Sequence, residues 1–151
     1  MQVRLDALFG EANLMSIFLR PIVPKKPPAQ YDKGQIQAAL QKFAIDLVGE
    51  MGKYPPWMPW KRPPKSGPYK GGKRTGSLMR GWLYSDLRPE SVLIVNAVPY
   101  AGSVQGYRAG AKGQRQTAFM ATRGWQNLSD RAKEVWQRHL PGIRYAISGK
   151  K

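Results

Sequence analysis

The chain of 151 residues has no cysteine and a single histidine, His139. The first absence excludes a disulfide framework, a thiolate nucleophile and a cysteine zinc site, and the second excludes multi-histidine metal sites. Acidic residues number nine against 25 basic ones, a formal charge of +16, so paired-carboxylate catalysis has little to draw on. A long apolar run is missing as well. Residues 14–23 are largely apolar, but Arg20 and Pro21 interrupt them, far short of the roughly 20 residues needed to span a bilayer. The N-terminus lacks a signal peptide's order of charged region, apolar core and small-residue cleavage site. We therefore expect a protein made in a reducing cytoplasm, with no cofactor, metal or membrane span. The length suits one domain over residues 1–151.

What the chain does have is concentrated in residues 53–80. This stretch holds six of the 13 prolines and eight basic residues, with no acidic one. Proline removes backbone donors and fixes φ, so the composition resists a helix or a central strand. A Pro/Lys-rich arm over residues 53–73 is the expected result. A connection this long exceeds the usual median of about 4–6 residues and is commonly functional. Two further irregular segments are expected, a Pro-rich connector at 21–31 and a Gly/Arg-rich loop at 102–116.

Between them the periodicities are readable. Residues 2–8 alternate polar and apolar side chains as a short strand does, and residues 13–18 suit a short helix or a second strand. From Lys33 to Met51, Ile36, Leu40, Phe43, Ala44, Leu47 and Met51 recur at spacings of three and four, with Asp32 placed to cap the helix and Gly52 to end it. Residues 77–82 suit one helical turn. Residues 83–87 and the β-branched run 92–96 read as a hairpin around Arg88-Pro89-Glu90-Ser91. A last helix is expected from Asn127 or Ser129 to about Arg138, broken by Pro141, with Ile143 to Ile147 adding a final turn or two. The order predicts an α+β fold: a small antiparallel β-sheet with helices packed on one face and long extended arms.

Candidate chemistry is sparse. Residues 67–73 fit GxxxxGK, but Arg74 stands where a phosphate loop needs a hydroxyl, Pro68 lies inside and no apolar strand leads in, so a flexible glycine segment is the better reading. His139 beside Arg138 suits a capping or solvated role, and Asp46 with Glu50 suits a solvated helix face. Asn127-Leu128-Ser129 matches a glycosylation acceptor, but a helix cap is simpler. No catalytic set is assembled, and we read the chain as non-enzymatic. A basic–aromatic interaction surface remains. Tyr54, Trp57, Trp60 and Tyr69 alternate with Lys61, Arg62, Lys65, Lys70 and Lys73, and Arg108 and Arg115 add charge in the second loop. Such a pattern suits stacking and phosphate contact with single-stranded nucleic acid, or anchoring tryptophans in a neighbouring subunit's groove.

Several short segments occur in a telling order: Tyr54-Pro55-Pro56, Arg74-Thr75-Gly76-Ser77-Leu78 through Trp82, Asn96 followed by Pro99-Tyr100-Ala101 and Val104-Gln105-Gly106, and Gly124-Trp125-Gln126-Asn127-Leu128. Over roughly residues 33–130 the chain resembles the neck and tail-completion proteins of tailed bacteriophages, a group that includes tail terminators and minor tail proteins of lambdoid phages. The resemblance implies a ring of six or twelve copies at the head–tail junction, assembled in the bacterial cytoplasm. It also implies portal-adaptor, neck or tail-tube proteins as partners, with DNA in the channel. On this view Arg74, Thr75, Gly76, Leu78, Trp82, Asn96, Pro99, Tyr100, Ala101, Gly106, Gly124 and Trp125 chiefly serve the fold. A cytoplasmic nucleic-acid-binding protein is the alternative.

Overall fold

The computed structural model describes residues 3–6, 15–21, 32–56, 65–66, 76–88, 91–106 and 115–148. They form an α+β fold. Strands β1 (Val3–Asp6) and β2 (Met15–Pro21) precede helix α1 (Lys33–Met51), and the one-turn α2 (Ser77–Arg80) leads into β3 (Trp82–Arg88) and β4 (Ser91–Asn96). Short helices α3 (Ala101–Gln105) and α4 (Ala118–Thr122) then lead to the long α5 (Leu128–Ser148). The four strands make one antiparallel sheet in the order β1-β2-β4-β3. Of the two elements left open for residues 13–18, the strand is the one formed.

Helix α1 follows its sequence closely. The Asp32 carboxylate accepts hydrogen bonds from the Gly34 and Gln35 amides at 2.8 and 3.3 Å, which satisfies donors that the first turn leaves without partners. All six residues of its apolar stripe are buried. The stripe lies against β3 and β4 on one side and α5 on the other. Phe43 meets Trp136 edge to face, with centroids 5.5 Å apart, and Val135 and Ile143 complete that seam at 0% exposure.

The hairpin forms as expected, except that Trp82 belongs to β3 and not to the helical turn before it. Its register places Trp82 opposite Asn96 and Leu83 opposite Val95, then slips by one residue between Ser85 and Arg88. Val92 and Ile94 are buried, while Leu93 and Val95 are only partly so. This alternation marks the helix-covered face and the more open one.

Helix α5 departs from expectation, because it continues through Pro141 to Ser148. The proline removes one N–H, and its partner four residues back would have been the carbonyl of Gln137. Both residues are exposed, so water can take up that carbonyl. Interior proline costs about 3 kcal/mol against alanine. Burying Ile143 and Ile147 beyond it returns about 1.5–3 kcal/mol each, enough to carry the helix across.

Candidate functional site

The elements converge at one pole of the molecule, around the C-terminal end of α1. Asn96 closes β4 there. Fully buried, it donates from Nδ2 to the Leu78 carbonyl at 2.9 Å and accepts the Val98 amide at 2.9 Å. Gly81 lies so close beneath that a Cβ would stand 2.4 Å from the Asn96 Oδ1 and 2.6 Å from Val98, so no larger residue fits. Gln105, also 0% exposed, accepts the Trp82 indole N–H at 3.1 Å and donates to the Met51 carbonyl at 2.8 Å. One amide thereby ties α1, β3 and α3 together.

A second pair of amides secures the next segment. Gln116 donates to the carbonyls of Val104 and Trp125 at 2.8 and 2.9 Å and accepts from Asn127 at 3.2 Å. Asn127 donates to the Gly106 carbonyl as well. Its Oδ1 accepts the Ser129 and Asp130 amides at 3.1 and 3.4 Å, capping α5. The segment expected to be a loop at 102–116 is thus narrower. Residues 102–105 belong to α3, whose Ala101, Val104 and Gln105 are buried, and Gln116 is held in the body of the fold; residues 107–114 lie outside the described set. Helix α4, capped by Thr117, was not legible in the sequence.

The first arm leaves the same pole. Tyr54 stacks edge to face on Trp125 at 5.0 Å, and Pro55 is buried against Gly124, whose φ of +76° is shared by Gly76 and is readily adopted only by glycine. Tyr54, expected as a partner contact, also makes a half-buried internal contact that moors the arm. Lys65 and Arg115 are exposed. Trp57, Trp60, Lys61, Arg62, Tyr69, Lys70, Lys73, Arg74, Thr75 and Arg108 lie outside the described residues. Leu78, Trp82, Asn96, Ala101 and Gly106 come together in the buried junction, with Tyr100 packed against it and the exposed Pro99 in the turn before α3.

Charge is divided between body and arms. Helix α1 balances Lys33 and Lys42 against Asp46 and Glu50, and α5 sets Arg131, Lys133, Arg138 and Arg144 against Asp130 and Glu134, leaving the two long helices at +2. Residues 57–75 carry Lys61, Arg62, Lys65, Lys70, Lys73 and Arg74, and residues 107–114 carry Arg108 and Lys112, +8 with no acidic residue.

On the helices, the acidic residues expected on a solvated face also pair, each making one contact across the seam. Asp46 Oδ2 lies 2.6 Å from His139 Nε2, and Glu50 lies 3.0 Å from Lys53 and 3.6 Å from Arg138. The hydrogen bond from Lys53 holds the Glu50 carboxyl below its ordinary pKa; the charges of Lys53, Arg131 and Arg138 add to this, and desolvation opposes it. Among the described residues, no group of three or more His, Asp or Glu could hold a metal ion, and no helix is long and apolar enough to cross a membrane. Comparisons with protein-family models, curated proteins and solved structures gave no match.

Proposed function

We propose that the chain is a non-enzymatic structural component of a tailed-phage virion. It forms a ring at the head–tail junction as a neck, tail-completion or tail-terminator protein. The observation that carries this reading is the junction around Asn96, Gln105 and Trp125. The described residues of the segments that resemble the phage proteins meet there, serving architecture, and the roots of both basic arms are moored beside them. The sheet and the α1–α5 pair would make the ring body. The arms would clasp adjacent subunits, and their cations would meet acidic neck, portal-adaptor or tail-tube surfaces or the DNA in the channel. Repulsion among +16 subunits makes such an acidic or polyanionic partner necessary to a stable ring.

Deletion of the gene from the phage that carries it tests the proposal. The expected lysate holds heads without joined tails, seen by electron microscopy; normal infectious particles would refute the assignment. The concentration of charge and aromatic rings in residues 57–75 favours a second reading, a cytoplasmic nucleic-acid-binding protein. That reading predicts affinity for bare DNA or RNA that falls steeply with salt. A purified protein that shifts neither at low ionic strength would dispose of it.

A further inference from the structure

An open groove of about 730 Å³ runs beside the root of the first arm, lined by Val48, Gly49, Gly52, Lys53, Tyr54 and Met79. Its floor is bare backbone. A Cβ on Gly49 would touch nothing within 4 Å, whereas Met79 packs over Gly52 and remains 48% exposed. One turn before Gly49, Ile45 is 51% exposed and extends the apolar strip along α1. A glycine floor between a thioether and an aromatic wall accepts a flat ring.

We infer that this groove receives the Trp57–Trp60 segment of a second copy of the chain, an assignment that rests on the ring reading above. Two observations select that occupant. The 19 residues between Pro56 and Gly76 leave and rejoin the fold beside the groove, since Tyr54 and Met79 are its walls. Their first four, Trp57-Met58-Pro59-Trp60, form the most apolar part of that stretch. Geometry favours a neighbour's segment over the chain's own. Tyr54 and Pro55 carry the backbone toward Trp125 and Gly124. Prolines at 55, 56, 59, 63 and 64 bias the sequence toward extended backbone at about 3.1 Å per residue. A return to Gly49 would need a reversal directly after Pro55-Pro56. Each subunit giving its segment to one neighbour and receiving one from another makes a head-to-tail contact, which forms a ring where the rotation between copies closes.

The lack of native cysteine makes the test direct. One full-length sample carries Gly49→Cys, a change from glycine at an open helix position that helix propensity favours. A second carries Met58→Cys, which leaves both tryptophans in place. They are mixed in 1 M NaCl, where the screening length is about 3 Å and like-charged copies can approach, and then mildly oxidised. A disulfide requires Cα atoms within about 4.4–6.8 Å. The expected result is a cross-linked pair of the two variants. It should be absent when Gly142→Cys, in open space on α5, replaces Gly49→Cys, and lost when Trp57→Ala and Trp60→Ala are added to the Met58→Cys chain. No cross-link would overturn the inference, as would a bond formed only within one chain carrying both cysteines. If the mixed pair cross-links but deleting the gene leaves normal particles, the virion assignment fails and the groove stands. Tailless particles without the cross-link remove the groove alone.

Discussion

The α1–α5 seam and the arm-bearing pole hold together by opposite means. At the seam, apolar side chains fill the centre and charged pairs sit at the margin, where Asp46, Glu50, Arg138 and His139 all retain contact with solvent. At the pole the backbone is irregular and turns repeatedly, so its polar groups need internal partners. Neutral amides provide them: Asn96, Gln105, Gln116 and Asn127 bond five backbone carbonyls and three backbone amides with no charge to desolvate. The seam should therefore respond to lost volume and the pole to lost hydrogen bonds.

The largest expected effect is at the centre of the seam. Phe43→Ala empties a fully buried site against Trp136 and should cost about 3–5 kcal/mol in urea unfolding. At the pole, Asn96→Ala removes little apolar contact but strands the Leu78 carbonyl and the Val98 amide. A loss of about 2–3 kcal/mol is expected by the same measurement. An Asn96→Ala protein as stable as the parent would break the distinction between the two regions.

Much of the seam was legible because its signals are local. Spacings of three and four between Ile36 and Met51, with Asp32 before them, fix a helix from a single stretch of sequence. The β-branched run at 92–96 was equally readable. The pole was less so. Gln105 acts on Met51, 54 positions away, and Gln116 was assigned to a loop because glycines surround it. Nothing in the composition of either neighbourhood announces a buried amide. Pro141 misled for the same reason: the rule that proline ends helices is local, while the burial of Ile143 and Ile147 that overrides it depends on α1. The Asp46–His139 contact, spanning 93 positions, lay beyond any periodicity.

Smaller effects sharpen the comparison at the seam's margin. Asp46→Ala should cost no more than about 1 kcal/mol, since the carboxylate is half exposed and pairs at the surface contribute little. Smallest is the pH dependence of Glu50. Its folded pKa is depressed, so its contribution is fully present above the ordinary glutamate value of about 4.3 and is lost as pH falls through the folded value. The stability difference between the parent and Glu50→Gln should thus shrink in unfolding curves taken below about pH 4, while the deficit of Phe43→Ala persists.

The arms carry +8 of the chain's +16 without an acidic residue, and the central claim is that they leave a scaffold built to stand in a ring between head and tail. Electron cryomicroscopy of the intact particle tests this most directly. The account predicts a ring of six or twelve copies at the head–tail junction into which the α1–α5 pair and the four-stranded sheet fit. Particles whose junction holds no density of this fold would contradict it.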